Sequence, residues 1–482
     1  MIQSGDQPTA AKTTTEETFM SYATVNPYTG ETIKTFPYVT DAEVSQAIDA
    51  AHAAFLLWRK SPFGERARVM QKAADILRAQ SEKYARLLTL EMGKLIGEAR
   101  AEVELSAAIF EYYAKYAEKL LAPEKLPLAD PAEGEATLVH DPLGVLLCIE
   151  PWNFPYYQIA RIIAPQLSAG NTMLLKHAAN VPQCAAIFET LMSEAGLPSG
   201  AFRNLYVSHD QVEAIINDPR VHGVALTGSE AAGSIVAAQA GKALKKSTME
   251  LGGADAFVVL QDADLEKTVQ WAVFGRHWNA GQVCVSSKRI ILVKEIHDAF
   301  MDAYIRGVEA LRAGDPMDPA TTLAPLSSQG AVEGLKKQIA QAVTHGAKAR
   351  EVGPAVPTQG AFLQPTILTD LDESNPARYW EFFGPVSMIF RAEDEADAIR
   401  IANDSPYGLG GSVFTRDTRR GAEVATQIST GMVYVNHPTM VKADLPFGGV
   451  RRSGYGRELL GLGIKEFVNH KLIDIVDIDA PF

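Results

Sequence analysis

The chain has 482 residues, 47% hydrophobic and 21% charged, an ordinary globular composition that excludes collagen-like, coiled-coil and disordered classes for its bulk. At about 150 residues per domain, that length allows roughly three domains. The formal charge is −13 with no long basic run, so a nucleic acid held through counterion release is not an expected partner.

The first stretch, Met1 to Met20, is a polar, Thr-rich arm without a basic start leading into an apolar run. Nor does an uncharged apolar run of membrane-spanning length follow, so neither a signal peptide nor a membrane span is expected. Asn26-Pro27-Tyr28-Thr29-Gly30 reads as a turn, and Thr40 with Glu43 forms a capping box that opens a helix over Ala42 to Ala54. Around Val69, Ala73, Ile76 and Leu77, and again around Val103, Ala107, Phe110 and Ala114, apolar residues recur three and four apart, the spacing of one helical face.

From Leu120 to Leu138 the pattern is broken by Pro123, Pro127, Pro131 and Gly134, which predicts an excursion from the helical layer, a hairpin pairing elsewhere. The period then changes. Gly144 to Ile149, Thr172 to Leu175 and Gly223 to Leu226 are short apolar runs separated by helix-length segments such as Pro182 to Glu194. Ala256 to Leu260, Arg289 to Val293, Thr366 to Leu368 and Met388 to Phe390 form a second such series. Buried strands alternating with helices predict α/β architecture with two doubly wound parallel sheets. The tail ends in Lys471 to Val476, a β-rich edge suited to pairing with a partner chain.

GxGxxG, Walker A, HExxH and GxSxG are all absent, so any chemistry rests on less common patterns. Thr227-Gly-Ser-Glu-Ala-Ala-Gly233 follows an apolar strand and opens a helix, where backbone N–H groups can approach a phosphate or the glycines can serve packing alone. Three cysteines occur, with no CxxC spacing, so neither a disulfide framework nor a zinc ribbon is encoded and a reducing cytoplasm fits. Cys148 lies in an apolar strand and Cys184 on an apolar helix face, ordinary places for a small buried hydrophobe. Cys284 differs: it lies between a helix and a strand, with Gly281 permitting unusual backbone, and reads either as a reactive thiol or as an ordinary half-buried one. Glu250, directly before two glycines where the two series meet, is either a cleft carboxylate fit for a general base or a solvated glutamate. Asn153, in Pro151-Trp-Asn-Phe-Pro155, is either an oxyanion donor or part of a rigid turn.

Taken together, PWNFP, LLKHA, TGSEAAG, MELGG, GQVC, EFFGPV and PFGGVRRSGYGRE resemble, in order and separation, the NAD(P)-dependent aldehyde dehydrogenase superfamily from about Val25 to the C-terminal strand. The resemblance implies two doubly wound parallel-sheet domains plus a small β oligomerisation flap. It divides the chain into an arm over 1–20, a cofactor-binding domain over 21–119 and 139–250, a catalytic domain over 251–435, and bridging segments over 120–138 and 455–482. It implies Cys284 as nucleophile, Glu250 as general base and Asn153 as oxyanion donor, with Glu458 as a proton relay. Thiolate attack on the aldehyde carbon, hydride transfer to the nicotinamide and hydrolysis of a thioester on Cys284 would follow. On the cofactor side it implies Gly228 and Ser229 at the pyrophosphate, Trp152 and Leu251 along the pocket, Lys176 and Ala179 near the adenosine ribose, Glu381 at the nicotinamide ribose and Phe383 against the ring. No metal is implied. NAD-preferring members often carry Glu where Ala179 stands, so NADP is expected to be used, with NAD also accepted; the adjacent Lys176 and His177 would tolerate a 2′-phosphate.

Within the superfamily the motifs look most like succinate-semialdehyde dehydrogenases. Arg161 occupies a position where that group has a substrate-carboxylate arginine, and a guanidinium can grip a carboxylate with two parallel bonds. Trp278 stands where many of those enzymes have a second arginine, and Lys442 is a compensating point charge. In the alternative, Trp278 dries the tunnel for an aromatic or medium-chain aldehyde and Arg161 lies in a structural ion pair. A coenzyme A-acylating dehydrogenase and a catalytically silent relative are the remaining classes, the first weakened by the retained Glu250 and the second by the presence of nucleophile, base and oxyanion donor together. The resemblance further implies a homodimer or homotetramer.

Overall fold

The computed structural model describes residues 22–130 and 134–479; the polar arm and Pro131 lie outside the described residues. The capping box opens the first helix as expected, Thr40 Oγ1 accepting from Glu43 N at 3.2 Å while Glu43 Oε2 accepts from Thr40 N at 2.7 Å. That helix runs Asp41–Trp58, past the expected Ala54, because Phe55 and Trp58 are buried and the Trp58 indole donates to Leu167 O at 2.9 Å. Helices Phe63–Ala79, Ser81–Met92 and Ile96–Leu120 follow, each with one buried face.

The first apolar series builds a six-stranded sheet in the order Gly454–Tyr455, Lys246–Glu250, Val221–Thr227, Val145–Glu150, Thr172–His177 and Phe202–Asn204. Only Gly454–Tyr455 runs antiparallel to its neighbour. Both faces are covered, and the alternation of side chains shows why. Leu146, Cys148, Met173 and Leu175 enter the core beneath the long helices, while Val145, Leu147, Leu174 and Val224 enter a separate core on the opposite face. The second series builds a seven-stranded sheet around Ala256–Val259, Arg289–Val293 and Val386–Ala392, with its own core. Its only antiparallel pairing is that of Lys348–Glu351 with Thr366–Thr369.

The proline-broken excursion supplies strands Glu124–Leu126 and Gly134–Pro142, which form a three-stranded antiparallel flap with Val468–Val476. The tail strand thus pairs within its own chain, Val468 opposite Pro142 through Val476 opposite Gly134, and leaves its other edge open. Two elements carried no readable signal. The turn at Asn26 joins a hairpin of Tyr22–Val25 with Thr32–Phe36, whose second strand is largely exposed and lacks alternation. Lys246–Glu250 is a strand of mostly polar residues, buried only over its last three.

Candidate active site

The strand ends of the first sheet place several side chains in one row. Glu150 lies beside His177, and Ile149 beside Leu226, so Thr227 follows next to Glu150; Thr227 is opposite Glu250, and Glu250 opposite Gly454. Residues level with one another on parallel strands point to the same face. Helix Pro155–Ala169 packs close by and brings Arg161, which is 1% exposed. Its first turn is held from outside: the buried Glu102 accepts from Tyr156 N at 2.9 Å and Tyr157 N at 3.2 Å, and Lys94 is paired with Glu102. Asn153 stands just ahead of this clamped turn.

The cysteine comes from the other side of the cleft. Helix Leu265–His277 ends in a turn whose three consecutive residues Asn279, Ala280 and Gly281 all have positive φ. Gly281 is required there twice over, since a Cβ would also fall 2.5 Å from Gly384 O. The strained turn is tied down at each end. Asn279 N donates to Glu98 Oε1 at 3.0 Å, and Asn279 Nδ2 donates to Asn153 O at 3.0 Å and Gln282 O at 3.2 Å. Asn153 Nδ2 in turn donates to Gln282 O at 3.0 Å, joining the amide to the cysteine loop and leaving its second N–H available.

Cys284 is free and half-buried, unlike the fully buried Cys148 and Cys184. Among the described residues no protein acceptor takes its backbone N–H. Burial pushes its thiol up to about 12, opposed by the Lys288 ammonium and the Arg161 guanidinium and reinforced by Glu250 and Glu381. The glycines after Glu250 close against it: a Cβ at Gly253 would fall 2.6 Å from the Cys284 carbonyl oxygen. Glu250 is 3% exposed, one carboxylate oxygen lacks a hydrogen-bond partner, and burial pushes the carboxyl up to about 7 against the pull of Arg161 and Arg457. A free thiol, a carboxyl titrating near neutrality and two N–H donors beside one another suit nucleophilic attack on a carbonyl followed by general-base hydrolysis.

Of the residues expected to hold the cofactor, Trp152, Lys176, Gly228 and Leu251 lie at the C-terminal ends of strands of the first sheet. Ser229 caps helix Glu230–Lys242, and Gly228 N donates to Glu250 O at 2.9 Å. Leu251 packs so closely on Gly233 that a Cβ there would meet it at 2.4 Å. Trp152 and Phe383 meet edge to face at 5.6 Å, and Glu381 accepts from Gly253 N at 3.0 Å. Lys176 is half-buried, touches the Tyr22 ring and has no ion-pair partner among the described residues; Ala179 supplies no carboxylate. A half-buried ammonium without a counterion among the described residues suits a phosphate-bearing ligand. Burial lowers His177 to about 4, and it is hydrogen-bonded to Pro155 O at 3.1 Å, so Lys176 carries the positive charge here.

Arg161 is enclosed by protein partners. Its Nε is paired with Glu458, Nη1 donates to Tyr157 Oη at 2.9 Å and Nη2 to Thr227 Oγ1 at 2.9 Å. Nη1 and Nη2 thus each have one protein acceptor, while Nε lies against Glu458 without a hydrogen bond, an arrangement of the kind raised above as the alternative. Trp278 packs against Phe154 at 5.1 Å and is stacked on Phe274 at 5.8 Å. Lys442 is exposed, in a loop whose Val441 and Ala443 pack against the core beneath the long helices.

The sequence reading passed over Glu98, Glu150 and Lys288. Glu150, with both oxygens lacking hydrogen-bond partners, is pushed up to about 8 by burial. A charged residue at the C-terminal end of an apolar strand was the available signal for it, and a lysine at the start of a core strand was the signal for Lys288.

The chain matches the aldehyde dehydrogenase family over residues 13–473. It is 47% identical to a succinate-semialdehyde dehydrogenase [NADP(+)] of Deinococcus radiodurans, over 94% of each chain. It is 44% identical to succinate-semialdehyde dehydrogenase [NADP(+)] 1 of Mycobacterium tuberculosis, over 94% of this chain and 99% of that one. Among solved structures, the succinic semialdehyde dehydrogenase of Streptococcus pyogenes in complex with NADP+ superposes with a TM-score of 0.92 at 45% identity, covering 95% of this chain and 100% of that one.

Proposed function

From the premise that the chain belongs to the aldehyde dehydrogenase family, we propose that it oxidises succinate semialdehyde to succinate with NADP, accepting NAD as well. The observation that carries the chemistry is the meeting of Cys284, Glu250 and Asn153 in one buried cleft. Cys284, once its thiol proton has passed to water, bonds through Sγ to the aldehyde carbon; the oxyanion so formed is held by the Asn153 amide and the Cys284 N–H, and its collapse breaks the C–H bond, the hydrogen leaving as hydride and the thioester remaining on Cys284. Bound NADP supplies the hydride acceptor. Glu250 takes a proton from the water that hydrolyses the Cys284 thioester and releases the carboxylate. Gly228, Ser229, Leu251 and Trp152 hold the cofactor along the cleft, Lys176 faces the adenosine side, and Glu381 with Phe383 faces the nicotinamide side.

Arg161 acts in this reading as the fixed cation of the buried carboxyl cluster, and Lys442 is the cation for the substrate carboxylate. The aromatic set Phe154, Phe274 and Trp278 supports a second reading, preference for uncharged aromatic or medium-chain aldehydes. The assembly is read as a homodimer or homotetramer joined through the flap, and the compartment as cytoplasm. No helix among the described residues is long and apolar enough to cross a membrane.

The deciding experiment compares kcat/KM for succinate semialdehyde, glutarate semialdehyde, benzaldehyde and hexanal with each nicotinamide cofactor. Highest kcat/KM for succinate semialdehyde with NADP is expected; preference for benzaldehyde or hexanal would establish the second reading. Cys284→Ala should abolish oxidation of all four.

A further inference from the structure

Lys288 lies four residues after Cys284, at the entry to core strand Arg289–Val293, and is 0% exposed. Its Nζ donates to Val283 O at 2.6 Å and to Cys284 O at 2.7 Å, and it is ion-paired with Glu381 Oε1 at 3.0 Å. The same ammonium lies 5.6 Å from the centroid of the Phe383 ring. A cation this deep is tolerable only with such a complete set of partners. What distinguishes the set is its membership: the peptide of the proposed nucleophile, and the two side chains proposed to face the nicotinamide end of the cofactor.

We propose that Lys288 is a positioning residue that couples the two halves of the site, pinning the Cys284 peptide and the Glu381 carboxylate on one ammonium and placing a fixed positive charge beside the thiol. The inference rests on the reading of Cys284 as nucleophile. Holding Cys284 O fixes the loop that carries Sγ after a turn of three strained residues. Holding Glu381 fixes the carboxylate that also accepts from Gly253 N, so cofactor-facing and thiol-bearing segments keep one spacing. Such spacing matters because reacting centres must meet in near-attack geometry.

The charge acts in the same sense. The thiol is faced by Lys288 on its own loop, by Arg161 and Tyr157 from helix Pro155–Ala169, by Glu250 from strand Lys246–Glu250, and by Glu381. Asp255 faces Lys288 from the segment before strand Ala256–Val259. Of the groups favouring the thiolate, Lys288 has the larger effect and Arg161 the smaller. Loss of the ammonium would remove that attraction and also unmask Glu381, so both consequences disfavour the thiolate.

The test is the rate of Cys284 alkylation by iodoacetamide as a function of pH, in enzyme free of cofactor and substrate. Cys148 and Cys184 are fully buried and pushed well up by burial, so the reaction reports Cys284. Lys288→Met, shown to be folded by its thermal transition, should displace the profile upward by about one pH unit or more, a roughly tenfold slowing at fixed lower pH. It should also bind NADP several-fold more weakly in a direct titration, while Lys288→Arg keeps its profile near that of the parent. A folded Lys288→Met with the parent alkylation profile overturns the proposal, whatever its activity. Should Lys288→Met not fold, Glu381→Gln serves instead: removing the carboxylate that offsets the ammonium should move the profile downward, and an unmoved or upward profile overturns the proposal. Aldehyde oxidation surviving in Cys284→Ala would instead fail the reading beneath it.

Discussion

Arg161 and Glu458 are ion-paired inside the protein, their side chains 1% and 5% exposed, and the guanidinium also donates to Tyr157 and Thr227. Glu150 and Glu250 both feel this cation. Its withdrawal would leave the buried Glu458 without its ion-pair partner, and breaking a buried pair typically costs about 3–5 kcal/mol. Arg161→Met should therefore destabilise the fold by that order in urea unfolding. It should lower kcat/KM by similar factors for succinate semialdehyde and for hexanal. A loss confined to KM for the charged aldehyde would make Arg161 the carboxylate anchor instead.

Lys442 should show the opposite pattern. It is exposed, so its removal leaves no buried charge behind and stability should not change measurably. Lys442→Ala is expected to raise KM for succinate semialdehyde several-fold at low salt with kcat and hexanal turnover unchanged. Equal behaviour toward both aldehydes would remove Lys442 from substrate recognition.

The role proposed for Glu250 makes thioester hydrolysis depend on pH. Burial holds its carboxyl at about 7, above the ordinary carboxylate range, and a general base works only when ionised. Hydrolysis should therefore rise with pH through about 7 and then level off. Because Arg161 pulls that value down, Arg161→Met should move the inflection upward. Glu250→Gln should give one burst of reduced cofactor per site, then steady turnover lowered by roughly 10²–10⁴-fold. Normal steady turnover in that variant would exclude Glu250 as the base.

Much of this site was legible because its residues sit in contiguous motifs at the ends of strands that announce themselves as apolar runs. Cys284 stood out from Cys148 and Cys184 through its neighbours, and Gly281 correctly marked an unusual backbone. What could not be read was set by through-space partners. That Arg161 faces Glu458 depends on a helix and a C-terminal segment meeting 297 positions apart, and nothing local announces it. The neutral state of His177 follows from burial beside Pro155, which its place next to Lys176 in the sequence does not announce. Strand Lys246–Glu250 escaped because it is polar and buried only where it reaches the cleft.

Acid sensitivity should follow from that same histidine and from His277. Both are buried and lowered from 6.5 to about 4, so the unfolded chain binds more protons between those values. The stability they contribute is complete above the unfolded value and lost as pH falls from 6.5 toward 4. At pH 5 the loss is about 2 kcal/mol for each. His177→Gln should lower stability at pH 7.5 but flatten its decline toward pH 5, measured by urea unfolding across that range. An unchanged slope would mean that the ring is charged or accessible in the folded state.

The cofactor preference turns on a missing charge. Lys176 is half-buried without a counterion among the described residues, and Ala179, whose carbonyl accepts from Ala23 N at 2.9 Å, presents only a methyl group. A carboxylate there would neutralise the lysine and repel a 2′-phosphate, while a ribose hydroxyl would accept the same carboxylate as a hydrogen-bond partner. Ala179→Glu should lower kcat/KM for NADP tenfold or more, about 1.4 kcal/mol or above, with that for NAD held or raised. The effect should shrink as ionic strength rises, because the added charge lies at a half-buried position where salt still screens. Equal losses with the two cofactors would show that the substitution acts through packing, and that the preference is set elsewhere along the cleft.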